Sequence, residues 1–112
     1  MNYQNESLKS LSRHMSLIAK TFFEFKTERR ETNYLADVEQ SDSKHSQSSF
    51  VSRVEDAFSG LNTTEQLFIN NDFFYEDYPD WWKDIYTRSQ YTHYMKKSII
   101  HFLRLFYEDE DN

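Results

Sequence analysis

The chain has 112 residues and no cysteine, which suits one domain with an appendage and excludes disulfide scaffolds, thiolate metal sites and cysteine nucleophiles. Ten Phe, eight Tyr and two Trp stand beside one Gly and one Pro, and this scarcity of turn residues favours helices over an all-β sandwich or barrel. The net charge of −6 disfavours a protein that coats nucleic acid without specificity.

The first predicted element is a long amphipathic helix within residues 1–39, which starts near Leu8 and ends near residue 30. Asn5 or Ser7 is placed to cap its start. Its apolar residues alternate spacings of three and four, the a/d pattern of a heptad. Either this stripe packs on the rest of the chain, or it is a dimerisation arm that makes a homodimer through Leu8, Leu11, Met15, Ile18, Phe22 and Phe25.

Residues 40–49 read QSDSKHSQSS, which is polar, rich in serine and without hydrophobic periodicity. Such a stretch is typical of a flexible linker between an N-terminal helix and a C-terminal unit. A long loop inside one domain is the alternative interpretation. The C-terminal unit is expected over residues 50–107, followed by an acidic tail at 108–112.

The C-terminal unit opens with an apolar helical face that ends at Gly60, where a helix C-cap is expected. Asn62 stands three residues before Glu65, which predicts a capping box at the start of the next helix. Pro79 suits the first turn of a short helix over 80–86. Thr87 or Ser89 then caps a last helix over about 90–107.

A short helix, a tight turn and a longer helix form a helix-turn-helix arrangement. The fold class predicted from the sequence is therefore all-α, with a long N-terminal amphipathic helix and a C-terminal helix-turn-helix bundle.

Positive charge is concentrated in this last part of the acidic chain. Residues 83–105 contain five basic residues and one acid, Asp84, which gives a local charge of +4. The outer face of the last helix holds mostly polar and basic side chains, and Ile100, His101 and Arg104 are expected on that face too. Glutamine can contact adenine edges in two places, and lysine can contact guanine or phosphate. The residues expected to touch DNA are Thr87, Arg88, Ser89, Gln90, Thr92, His93, Lys96 and Lys97.

The stretch YTRSQYTHYMKKSIIHFL, together with VSRVEDAFSGLNTTEQLFINNDFFYED before it, resembles the ArpU-like phage-type transcription regulators. Small mollicute proteins of the same pattern are also similar. The resemblance covers about half of the chain and implies a sigma region-4-like helix-turn-helix with its recognition helix at 89–106. It also implies a role in transcription, either by binding DNA or by docking on RNA polymerase. The competing hypothesis is an acidic helical interaction module that self-associates without binding nucleic acid.

Other classes of function find no motif in the sequence. The four histidines lack the spacing of a metal site, and no Gly-rich phosphate loop is feasible with one glycine. We therefore expect no enzyme activity, no small-molecule substrate, no cofactor and no metal. The N-terminus has no signal-peptide pattern and no apolar run is long enough for a membrane span, so a cytoplasmic protein is expected.

Overall fold

The computed structural model describes residues 3–32, 42–75 and 79–108, which are helices and turns without a β-strand. The predicted all-α class is confirmed, as is the long N-terminal helix. Within these ranges, no helix is long and apolar enough to cross a membrane. In chain order the elements are a 3-10 turn at Tyr3–Asn5, α1 (Leu8–Thr32), α2 (Asp42–Ser59), α3 (Thr63–Ile69), a π-helical turn at Asn70–Phe74, and α4 (Arg88–Glu108).

Helix α4 is the central element, since it packs against α1, α2 and α3. Its side chains are buried on most sides from Met95 to Phe106. Helix α2 contributes Val51, Val54 and Ala57 to the same core, and α3 contributes Phe68 and Ile69. One continuous hydrophobic core therefore joins the N-terminal helix to the C-terminal unit.

Helix α1 turns its apolar stripe into this core. Ser7 caps the helix, because the Ser10 amide donates to the Ser7 hydroxyl at 3.1 Å. Four of the six residues of the predicted dimerisation seam are buried within the chain itself, and Leu8 and Phe25 pack against the same core. This placement favours packing on its own domain over the seam. The buried residues are Leu11, Met15, Ile18 and Phe22.

The linker prediction is wrong for residues 42–49, because α2 begins at Asp42 and continues without interruption to Ser59. Residues 40 and 41 lie outside the described part of the chain. Serine, glutamine and lysine are only modestly less helix-favouring than alanine, so a polar segment can extend a helix that is anchored further along. Because residues 42–49 lack a hydrophobic period, their sequence did not predict that α2 begins at Asp42.

The short helix predicted over 80–86 is also replaced, here by a series of hydrogen-bonded turns. The Lys83 amide donates to the Asp80 carbonyl at 3.1 Å, and the Tyr86 amide to the Trp82 carbonyl at 2.8 Å. The aromatic side chains of this segment pack on the fold individually. Trp81 meets the Phe68 ring edge-on at a centroid distance of 5.0 Å. The segment between the π-helical turn and α4 is therefore held in place by its side-chain contacts and not by a regular helix.

Candidate nucleic-acid interface on helix α4

The first turn of α4 is fixed by a reciprocal cap. The Thr87 amide donates to Gln90 Oε1 at 2.9 Å, and the Gln90 amide donates to Thr87 Oγ1 at 3.1 Å. This is a capping box, with Thr87 instead of Ser89 as the capping residue. The helix therefore starts at Arg88, two residues before the predicted start.

The first two turns of α4 are more open to solvent than the rest of the helix. Five of their side chains are exposed, whereas the helix from Met95 onward is largely enclosed by its neighbours. Tyr91 faces the connecting segment, where its ring stacks on Trp82 at 4.3 Å with an interplanar angle of 18°. The exposed residues are Arg88, Ser89, Gln90, Thr92 and His93.

A groove of about 710 Å³ runs along α4 beside the start of α3. Besides His101, which contacts Glu65, four α4 side chains that line the groove are lysine, arginine or histidine, and we call them the α4 basic face: His93, Lys96, Lys97 and Arg104. Ile100 also lines the groove, but it is only 8% exposed. The prediction that Ile100 lies on the wet outer face is therefore wrong.

Glu65 is the acidic side chain among the described residues that line this groove, and its carboxylate is directed inward. The residue is 5% exposed. Its Oε1 accepts from the Asn62 amide at 3.0 Å and lies 2.8 Å from His101 Nδ1. Because this charge is held by a helix cap and a histidine, the groove presents mainly positive charge to solvent.

The structure brings half of the predicted DNA contacts into the groove and leaves the other half at the helix start. Thr92, His93, Lys96 and Lys97 line the groove, and the Glu65–Asn62 capping box predicted from the sequence is confirmed beside them. Thr87, Arg88, Ser89 and Gln90 form the first turn and its cap.

Besides Glu65 and Ile100, three groove residues were not predicted as DNA contacts. Arg104 was predicted on the outer face, seven positions after Lys97, but not as a DNA contact. Asn62 was predicted only as a cap, and His101 only as part of the outer face. The pairing of His101 with Glu65 joins residues 36 positions apart, so no local spacing could reveal it.

An aromatic cluster around Phe68 holds the connecting segment against α3 and α4. The Phe68 ring contacts Trp81, Tyr86, Tyr91 and Tyr94.

Asp72 completes this cluster. It accepts from Trp81 Nε1 at 2.8 Å and from the Tyr91 hydroxyl. Burial, followed by the hydrogen bond to Asp72 and its negative charge, raises the pKa of Tyr91 well above its ordinary value. These contacts fix the orientation of the exposed turns of α4.

A second, aromatic groove of about 430 Å³ lies between α1, α2 and the π-helical turn. Phe23 and Tyr75 on its border are 39% and 61% exposed. Lys26 of α1 also lines this groove. Its Nζ lies 3.9 Å from Glu55 of α2 and 5.1 Å from the centroid of the Phe22 ring. Among the described residues, no three His, Asp or Glu side chains gather as a metal-binding group would require.

No protein-family model matches the chain, and no curated protein or solved structure is significantly similar to it. The resemblance to ArpU-like regulators therefore stays a prediction.

Proposed function

We propose that the chain is a transcription-linked protein that binds duplex DNA through the first turns of α4 and the α4 basic face. The observation that carries the proposal is the groove between α4 and the start of α3. The α4 basic face lines this groove, while the carboxylate of Glu65 is held by the Asn62 amide and His101. The exposed first turns would approach the base edges, as the N-terminal end of a recognition helix does in helix-turn-helix proteins.

The spacing of the basic residues suits a duplex. Lys97 and Arg104 are seven residues apart, which corresponds to about 10 Å along a helix. The major groove of B-DNA is about 12 Å wide, so both side chains can reach phosphates that border it. Arg88, at the exposed helix start, adds a further cation.

The acidic balance of the chain limits how such binding would behave. With a net charge of −6, the chain as a whole repels DNA, so affinity would depend on a few phosphate contacts at this face. Each phosphate contact contributes about −0.9 to the slope of log affinity against log salt. Removing two contacts should therefore make the slope shallower by about 2.

The test is fluorescence anisotropy with a mixed-sequence duplex, titrated across salt, for the natural protein and the double variant Lys97→Ala/Arg104→Ala. The matched control is Lys9→Ala/Lys20→Ala, which removes two exposed charges from α1. We expect the α4 variant to lose affinity and salt dependence while the control retains most of both. Equal losses in the two variants, or no binding at low salt, would reject the proposal.

A second candidate is a helical interaction module that does not bind nucleic acid, and the net charge of −6 favours it. In this form the chain would self-associate. Because four of the six residues of the predicted seam on α1 are buried, self-association would have to use another surface. The two candidates differ in the mass that sedimentation equilibrium should give. A monomer of 13.7 kDa that binds DNA supports the first candidate, and a dimer that does not bind DNA supports the second.

A further inference from the structure

His101 lies between two cationic residues on the groove side of α4. Lys97 stands four positions before it and Arg104 three positions after it, which places the three side chains on one face of the helix. Along the helix axis these steps are about 6 Å and about 4.5 Å. All three residues line the groove beside the start of α3, and the side chain of His101 is 40% exposed. His101 therefore belongs to the strip that the proposed function assigns to phosphate contacts.

The contact with Glu65 determines which nitrogen of His101 can meet a ligand. Nδ1 lies 2.8 Å from Oε1 of Glu65, whose side chain is buried. A carboxylate can only accept a hydrogen bond, so Nδ1 carries the proton of this pair. Nε2 has no hydrogen-bond partner among the described residues. Nε2 is therefore the nitrogen that gains or loses a proton, and it is available to a ligand in the groove.

We infer that His101 is a further phosphate contact of this groove, made only when its ring is protonated, so that DNA affinity rises as the pH falls. This inference rests on the proposed DNA binding. In the neutral ring Nε2 is an acceptor, and because a phosphate oxygen is also an acceptor, the two cannot form a hydrogen bond. In the protonated ring Nε2 donates, and the positive charge strengthens its hydrogen bond to the phosphate. Histidine is the residue type that changes charge between about pH 5 and 8.

The charged groups that face His101 come from α3 and from α4 itself. Glu65 is the charged side chain of α3 that contacts it. On α4, Lys97 and Arg104 flank it, and Lys96 lines the same groove. A protonated His101 would be held by one carboxylate and would add a positive charge beside the two cations that flank it.

The remaining helices contact α4 on other faces. His14 of α1 contacts Tyr107, and Arg53 of α2 contacts Phe106. At about 100° per residue, Tyr107 and Phe106 lie about 120° and about 140° around the helix from His101. These two basic side chains therefore do not face the groove.

The substitution His101→Asn removes Nε2 and keeps a donor for Glu65. The NH₂ group of asparagine is bonded to Cγ, as Nδ1 of histidine is, so the contact with α3 can persist. An unchanged melting temperature at about pH 8, where histidine is neutral, checks that the fold survives. The matched control is His93→Asn, which removes an exposed histidine from the same groove.

The first measurement is the affinity for one mixed-sequence duplex at constant ionic strength, at about pH 8 and at about pH 6. We expect the natural protein to bind about three- to tenfold more tightly at the lower pH. His101→Asn should lose most of this increase, and His93→Asn should keep most of it. Lys97→Ala should weaken binding at both pH values and leave the increase in place.

The second measurement needs no variant. Calorimetric titration of the natural protein with the duplex, in two buffers that differ in their ionisation enthalpy, counts the protons exchanged on binding. We expect proton uptake at about pH 7.

Three results would overturn the inference while DNA binding stands: an affinity that does not change with pH, a binding reaction without proton uptake, or a pH dependence that His101→Asn leaves intact. Equal losses of the pH dependence in His101→Asn and His93→Asn would also overturn it, because the proton could not then be assigned to His101. Failure of the natural protein to bind the duplex at either pH would overturn both the inference and the proposed function.

Discussion

At the scale of single residues, Glu65 links two helices that are far apart in the sequence. Its carboxylate completes the cap of α3 through the Asn62 amide and contacts His101 on α4. A buried carboxylate is costly unless it is hydrogen-bonded, and here both partners are supplied by the fold. The residue therefore connects the stability of the α3 start to the position of the basic groove.

We expect Glu65→Ala to lower the free energy of unfolding by about 2 kcal/mol, because it removes the side-chain half of the capping box and leaves the Asn62 amide without its acceptor. Glu65→Gln keeps an oxygen for that amide and should cost about half as much. Urea unfolding followed by circular dichroism measures both. If the two variants were equally stable, the cap would not be the source of the effect.

Tyr91 gives a pH-dependent prediction. Its pKa in the folded state is raised above the ordinary value of 10.0, with burial as the largest cause and Asp72 next. Below that ordinary value both the folded and the unfolded phenol are neutral, so the contribution to stability is fully present. As pH rises further, the unfolded phenol ionises first, and the contribution is lost toward the folded pKa.

The measurement is urea unfolding of the natural protein and of Tyr91→Phe at about pH 9 and about pH 11, on either side of the ordinary tyrosine pKa. The free energy of unfolding should fall more between these two values in the natural protein than in the variant. Tyr3, whose pKa is also raised by burial, is present in both proteins and so does not affect the comparison. Parallel losses would show that Tyr91 ionises alike in both states.

At the scale of elements, α1 shows how one apolar stripe permits two assignments. Periodicity locates the stripe but does not tell whether its partner is the same chain or another one. The structure supplies the partner, since Leu11, Met15 and Ile18 meet residues of α2 and α4 in one core. Leu17, on the same helix, is 63% exposed and so serves as a control for a leucine outside the core.

Met15→Ala should therefore lower the free energy of unfolding by about 2–5 kcal/mol, as large-to-small substitutions in a packed core do. Leu17→Ala should change it by less than about 0.5 kcal/mol. Thermal unfolding at several protein concentrations measures both effects. If Met15→Ala lowered the free energy of unfolding only at high protein concentration, α1 would lie at an interface between chains.

The elements differ in how well the sequence predicts them, and the reason is the kind of interaction that forms each one. Helix α4 and the cap of α3 depend on neighbours within a few positions, so period and spacing are sufficient. The start of α2 carries no apolar period. The segment around Trp81 and Trp82 is positioned by Phe68, Asp72 and Tyr91, so its conformation depends on tertiary contacts.

At the scale of the whole molecule, an acidic chain concentrates positive charge on its central helix. Helix α4 supplies both the middle of the core and the α4 basic face, so the proposed interface belongs to a helix that packs against α1, α2 and α3. The sequence revealed the charge concentration but not the inward direction of Glu65. That direction depends on His101, whose position only the packing of α3 on α4 determines.

The most direct measurement is a map of backbone amide chemical shifts, recorded by NMR as a short duplex is added to the full chain. We predict that the largest changes fall on residues 87–97, on Arg104 and on the start of α3 at 62–65, with α1 little affected. Changes centred on the aromatic groove around Phe23 and Tyr75, or a spectrum that the duplex leaves unaltered, would contradict DNA binding through α4.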